Sequence, residues 1–172
     1  MPDILLDVGN TTNYPGECNI NKYTGLIVCN SFSVGAHQPL DHGRGTNRTH
    51  GTLNISEVSI SRQLDKSSIP LLNAMFSATV FPTMTFHFLK AAAVAEAANA
   101  EYLTVVLDNV LIANIQTSGG SGGESLMESL SFGFTKILYT YNVQSESANT
   151  VAGNQTASFD MYTQVGTYGG GS

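Results

Sequence analysis

The sequence predicts a mainly β fold: a small antiparallel β-barrel, or a tightly curled sandwich, with bulged strands and one flanking α-helix. Three observations predict it. Between Tyr102 and Val143 two long β-type runs enclose a loop rich in Gly and Ser. Within each run the alternation of apolar side chains holds, slips by one residue and resumes, which is the trace a β-bulge leaves in sequence. Both runs exceed the usual ~5–6 residues of a strand, and long bulged antiparallel strands let a sheet curl until it closes on itself. In the first run Leu103, Val105 and Leu107 share a face; the phase slips at Asp108-Asn109, and Val110 and Ile112 carry it on. In the second, Phe132 and Phe134 give way near Thr135-Lys136 to Ile137, Tyr139 and Tyr141.

The remaining elements follow along the chain. Ile4, Leu6 and Val8 alternate and predict a first strand; Gly9 to Gly25, with Pro15 and Gly16, reads as a loop. Leu26, Val28, Phe32 and Val34 predict a second strand. From Gly35 to Gly51 the pattern stops. That segment, GAHQPLDHGRGTNRTHG, holds three His and two Arg, and a structureless stretch longer than ~12–15 residues in a compact domain is usually functional or disordered. Leu53, Ile55, Val58 and Ile60 predict a third strand with a phase slip at Ser56-Glu57. A helix is expected over Leu64–Thr79, capped by Asp65, Ser67 or Ser68, with Pro70 in its first turn. Ile69, Leu72, Met75 and Phe76 make its apolar face. Phe81-Pro82 breaks it, and Met84, Phe86 and Phe88 predict a fourth strand. Ala91–Ala100 suits either a short helix or a hairpin connection. The expected organisation is one barrel domain over residues 1–145. An extension, 146–172, carries a possible edge strand at Phe159–Val165 and a flexible end at Gly169–Ser172.

Composition narrows the function. At 172 residues a single domain is expected. Charged residues make up 12%, about half of the usual ~25%; 17 Ser, 17 Thr and 14 Asn fill their place. Interface cores show the same depletion of charge, so the composition fits extensive self-contact as well as it fits an ordinary β-rich surface. The net charge is −6 and the seven basic residues, spread from Lys22 to Lys136, form no stripe, which argues against a nucleic-acid partner. No stretch approaches the ~18 apolar residues of a spanning helix, so no membrane insertion is expected. The opening MPDILLDVGN has neither a basic n-region nor a long apolar h-region; the expectation is folding in the cytoplasm, then any secretion without a cleavable signal peptide. Cys18 and Cys29 are expected as thiols, or, if oxidised, as a staple around Lys22–Gly25. The N-x-S/T matches at Asn10, Asn47, Asn54 and Asn154 are read as chance.

No residue pattern compels catalysis, and neither a metal nor a cofactor is expected. His37, His42 and His50 share a loop with Asp41, at spacings that match no metal signature. His87 lies on a strand face opposite Phe86 and Phe88 and reads as a solvated or interface side chain. Ser118, Gly119, Gly120, Ser121, Gly122 and Gly123 lack the strand-to-helix setting of a nucleophile elbow. They also lack the Lys-Ser/Thr ending of a phosphate loop, so they read as a tip between two strands. Glu124 and Glu128 read as solvated or interface charges, and Asp65-Lys66 as a cap with a surface charge.

Several stretches together carry a family resemblance. They are NSFS at Asn30–Ser33, the long Gly/Arg/Thr loop, LDKSS and PLL within Leu64–Leu72, EYLTVVLDNVLIANIQTSG at Glu101–Gly119, and MESLSF followed by KILYTY within Met127–Tyr141. In that order, over residues 3–143, the chain resembles the Hcp family, the tube protein of type VI secretion systems. The resemblance implies a β-barrel with one flanking helix, assembly as a hexameric ring, and head-to-tail stacking of rings into a hollow tube that is expelled. It implies as partners further copies of the chain, the contractile sheath, the spike protein and small effectors in the lumen. It also assigns inter-subunit or stacking contacts to the long loop: Gly35, His37, Gln38, Leu40, Asp41, His42, Arg44, Asn47, Arg48 and His50. The alternatives are a phage-like tail-tube protein, or a small β-barrel binding module or hydrolase using the His residues of 35–51.

Overall fold

The computed structural model describes residues 3–40, 51–90, 100–122, 125–144 and 151–170. In chain order the strands are β1 (Asp3–Asp7), β2 (Ile27–Cys29), β3 (Ser31–Ser33), β4 (Ala36–His37), β5 (Asn54–Ile55) and β6 (Val58–Gln63). The helix α1 (Ser68–Phe76) follows, then β7 (Phe81–Lys90), β8 (Ala100–Ser118), β9 (Met127–Gly133), β10 (Lys136–Gln144), β11 (Val151–Asp160) and β12 (Val165–Gly170).

Strand β8 is the spine. Its first half lies between β7 and β10, with pairs such as Phe86↔Val105 and Tyr139↔Val105; its second half pairs with β9, from Leu111↔Gly133 to Ser118↔Met127. One path of antiparallel strands runs β12-β11-β10-β8-β7-β1-β2, and a second leaves β8 through β9 and β6 to β3. The two paths meet because β2 and β3 are one run of chain interrupted by Asn30. The Asn30 N–H donates to the Ser61 carbonyl at 2.7 Å. The circuit β8-β7-β1-β2/β3-β6-β9 therefore closes as a curled barrel, and β10, β11 and β12 leave it as a wing. Apolar side chains from every wall fill the interior, among them Leu6, Val58, Met84, Phe86, Val105, Leu107, Leu130, Phe132 and Ile137. A smaller cluster of Leu5, Cys18, Leu26 and Leu89 lies beneath the 9–26 loop, with Ile20 and Tyr23 packed on it.

The mainly β character holds, but the phase slips have a different origin from the one expected. At Asp108-Asn109 the spine changes partner rather than bulging. β9 and β10 part opposite this point, so the expected second run is two strands. Asn109 takes the left-handed φ of 51°, a region Asn tolerates better than most non-glycine residues. Its side chain donates to Thr135 Oγ1 at 3.1 Å, and Thr135 N–H donates to the Asp108 carbonyl at 3.0 Å. Register shifts fall instead between Ile112 and Asn114, opposite Phe88/Leu89, and at Val143/Gln144. The expected second strand is likewise two, β2 and β3, because its partner changes from β1 to β6 at Asn30. Ser56-Glu57 separates β5 from β6.

Helix α1 is shorter than expected and turned over. Leu71 and Ala74 are buried, whereas Ile69 and Phe76 are 72% and 77% exposed. A helix reading SIPLLNAMF is apolar over most of its circumference, so periodicity cannot choose its buried face; the anchoring of Ser68 described below does. Phe81-Pro82 opens β7 rather than ending the helix. The stop is Ala78, at φ 48°, where the Ala78 and Thr79 N–H groups donate back to the carbonyls of Met75 and Ala74.

The extension forms a hairpin, not a single strand at Phe159–Val165. Asp160 Oδ1 accepts the N–H groups of Tyr162 and Thr163, Gln164 takes φ 57°, and the chain reverses into β12. Gly169 and Gly170, expected in a flexible end, belong to β12. Most of Ala91–Ala100 lies outside the described residues; Ala100 opens β8.

Candidate interaction surfaces

Of the long-loop residues, Gly35, His37, Gln38 and Leu40 are exposed. Ala36↔Ile55 and His37↔Asn54 pair β4 with β5, Gln38 Nε2 donates to the Gly51 carbonyl at 3.3 Å, and Gly51 N–H donates to the Pro39 carbonyl at 2.8 Å. The base of the segment is thus a small ribbon rather than structureless. Asp41, His42, Arg44, Asn47, Arg48 and His50 lie outside the described residues. Ser118 ends β8, and Gly119, Gly120, Ser121 and Gly122 form an exposed tip beyond it; Gly123 and Glu124 lie outside the described residues.

The most regular surface was not among the expected site residues. In the sheet β3-β6-β9-β8 the register lines up two polar rows. One is Ser31–Ser61–Ser129–Gln116, the other Ser33–Ser59–Ser131–Asn114. The residues between them, Phe32, Ile60, Leu130 and Ile115, point the other way and pack on the core. Ser31 and Ser61 hydroxyls lie 2.6 Å apart, and those of Ser59 and Ser131 3.2 Å. Each row thus carries hydroxyls and one amide, with no charge. The same sheet has two open edges among the described residues. β3 pairs with β6 alone. Residues Leu111–Ser118 of β8 pair with β9 on one side, while β7 stops pairing at Val110.

On the inner side of that sheet sits a buried ion cluster. Arg62 of β6 is fully buried and Glu128 of β9, directly opposite it, nearly so; Glu128 is therefore not the solvated or interface charge expected from its position near the tip. Arg62 donates to Glu128 Oε2 at 2.7 Å, to Asp65 Oδ1 at 2.8 Å and to Ser68 Oγ at 3.0 Å, and also to Ser67 Oγ. Ser68 Oγ donates to Glu128 at 2.9 Å, and Asp65 accepts the Ser67 N–H at 2.9 Å. The cluster clamps the start of α1 to the serine-bearing strands and sets the helix's rotation.

A second polar group lies on the outer face of β7 and β8. The extra residue at Tyr102 in β8 turns Glu101 onto the same face as Thr104 and His87, which is a common use of a bulge. His87 Nδ1 lies 2.7 Å from Glu101 Oε1, Thr104 donates to the same oxygen at 2.6 Å, and Tyr23 from the 9–26 loop packs tilted beside the His87 ring and donates to Oε2 at 3.4 Å. His87 is thus partly buried and partnered rather than solvated. The His87 hydrogen bond, with those of Thr104 and Tyr23, holds the Glu101 carboxyl below the ordinary glutamate range despite its partial burial. A depressed folded-state pKa contributes stability that is present above the unfolded value and lost as pH falls through the folded one. We therefore expect wild type to lose thermal stability more steeply than Glu101→Gln between about pH 5 and pH 3; parallel slopes in thermal melts would refute the coupling. Cys18 and Cys29 are free and buried, and burial pushes the Cys29 thiol up to about 12, so it is no nucleophile. Among the described residues no group of three or more His, Cys, Asp or Glu could hold a metal ion, and no helix is long and apolar enough to cross a membrane.

Comparison with known proteins places this architecture. The family model described as "Type VI secretion system effector, Hcp" matches residues 6–141. The chain belongs to the Hcp family. A curated relative, protein Hcp1 of Pseudomonas aeruginosa, is 27% identical over 92 residues; the match spans 54% of this chain and 55% of that protein. Among solved structures, one described as a type six secretion system protein superposes with a TM-score of 0.84 at 19% identity, over 97% of this chain and 100% of that one. Hcp1 from Salmonella typhimurium gives a TM-score of 0.75 at 21% identity, over 96% and 99% of the two chains. The Hcp fold is thus shared well beyond recognisable sequence identity.

Proposed function

We propose that this Hcp chain is a subunit of the inner tube of a type VI secretion system. It closes into hexameric rings that stack head to tail into a hollow tube, and it has a structural and carrier role rather than an enzymatic one. Its partners are further copies of itself, the sheath and spike of the apparatus, and small effectors in the lumen; it is secreted with the expelled tube. The observation that carries this reading is the sheet β3-β6-β9-β8. Its two edges are open, and its outward face is uniformly uncharged. Joining β3 of one copy to β8 of the next uses the same two surfaces at every contact, which is the heterologous geometry that closes into a ring. The sheet then runs on from subunit to subunit, with the serine rows on one side as a continuous hydroxyl wall around the channel.

The test is native mass. Wild type is expected near six times its 18.2 kDa. The double variant Ser33→Glu/Asn114→Glu sets like charges on both sides of each seam and is expected to run as protomers with an unchanged circular dichroism spectrum. Ser33→Asn/Asn114→Ser is expected to keep the ring. A wild type that stays monomeric at tens of micromolar, roughly where ordinary interface areas give association, would sink the reading.

A further inference from the structure

The strand edges that would join ring subunits are short. β3 spans three residues, Ser31–Ser33, whereas a stable contact buries roughly 800 Å² on each partner and draws on about 20–30 of its residues. The centre of such a contact is apolar and rich in aromatic side chains, and the serine rows supply none. The remaining area has to come from what flanks the two edges.

Beside the open half of β8 lies α1. The chain approaches the helix from Leu64, whose N–H donates to the Leu126 carbonyl at 2.9 Å, next to the Ser118↔Met127 pair that ends that half. It leaves through Val80, one residue before Phe81 pairs with Val110, where that half begins. The helix therefore runs back along residues 111–118 of β8 and touches that strand. Leu71 and Ala74 pack inward, so Ile69, Asn73 and Phe76, at spacings of four and three, form a face turned away from the core. Leu64, Ile69, Phe76 and Val80 are four of the twelve large apolar side chains exposed among the described residues. No residue of α1 is charged, although a surface helix ordinarily sets charged residues on its outer face. Apolar surface gathered in this way marks a contact site.

We propose that the Ile69/Phe76 face of α1, with Val80, is the apolar centre of the ring seam and packs on the β2-β3 side of the next subunit. On the ring reading, on which this rests, β3 of that subunit lies against the open half of β8. The run of chain that carries β2 and β3 then meets the helix beside it. β2 ends its sheet path, pairing with β1 alone among the described residues, and Val28 at its centre is exposed. The polar rows face the channel while the apolar contact lies behind them. The two surfaces differ, so the contact stays heterologous and repeats around the ring.

The experiment is native mass on dilution for wild type, Ile69→Ser/Phe76→Ser and Tyr162→Ser/Tyr168→Ser. The first variant is expected to fall to protomers at a concentration at least about tenfold above that of wild type, with an unchanged circular dichroism spectrum and urea midpoint of the protomer. The second removes two equally exposed aromatic side chains from the β11-β12 hairpin and should dissociate as wild type does. In a second measurement p-benzoylphenylalanine replaces Phe76, and irradiation should cross-link it to residues 27–33 of another copy. Rings of Ile69→Ser/Phe76→Ser that persist to the wild-type dilution, or cross-links confined to other segments, overturn the proposal and leave the ring reading standing. A wild type that stays protomeric overturns the ring reading, and this seam falls with it.

Discussion

Arg62→Ala is expected to destabilise the protomer by about 3–5 kcal/mol, the usual effect of removing one member of a buried ion pair. That is at least about a fifth of the roughly 5–15 kcal/mol that holds a domain folded. The reason is what stays behind. Glu128 and Asp65 would keep their burial and lose the guanidinium that bonds both of them, while Ser67 and Ser68 would lose a donor. The clamp on the start of α1 would go with it. Replacing the ions together, as Arg62→Met/Glu128→Leu/Asp65→Asn, is expected to cost far less, because no uncompensated buried charge remains. Urea titrations monitored by circular dichroism measure both. An Arg62→Ala variant within about 1 kcal/mol of wild type, the range typical of exposed ion pairs, would show that the cluster is solvated.

The contrast between this cluster and the serine rows explains what could be read from the sequence. The strands themselves were legible because alternation is local: Leu103, Val105 and Leu107 face the core just as their spacing implies. Partner exchange is not local. The slip at Asp108-Asn109 looks the same in sequence whether an extra residue is inserted or the neighbouring strand changes, and the structure has the second. The helix face failed for a related reason. Its rotation is fixed by Ser68 bonding to residues 6 and 60 positions away, and no local periodicity carries that information. Glu128 was misread because proximity to a glycine-rich tip suggested exposure, while its partner Arg62 sits on another strand. The serine rows, by contrast, left a signal. Ser31-Phe32-Ser33, Ser59-Ile60-Ser61 and Ser129-Leu130-Ser131 repeat one motif, apolar between two serines, on three strands. Three short strands with the same polar face imply one continuous surface once they are known to be neighbours.

Phe86→Ala should produce a loss of similar size, by packing rather than charge. Phe86 is fully buried at the middle of β7, between Leu6 of β1 and Val105 of β8. Phe32 meets it edge to face with centroids 4.9 Å apart, and Phe132 lies 6.2 Å away. Truncating a buried phenylalanine costs roughly 3–5 kcal/mol, and the aromatic pairs add to that. The consequence reaches the proposed seam, because Phe32 is the central residue of β3. Without Phe86 behind it, the strand that carries Ser31 and Ser33 loses one of its two aromatic contacts with β7 and keeps the other, Phe88 at 5.1 Å. The variant is therefore expected to lower the urea midpoint and, below that midpoint, to raise the concentration at which rings form. Phe76→Ala, on the exposed side of α1, is expected to change protomer stability by no more than about 0.5 kcal/mol. If Phe86→Ala destabilises the fold while ring formation stays at the wild-type concentration, β3 is not the seam strand, and the contact must be sought on another edge of the barrel.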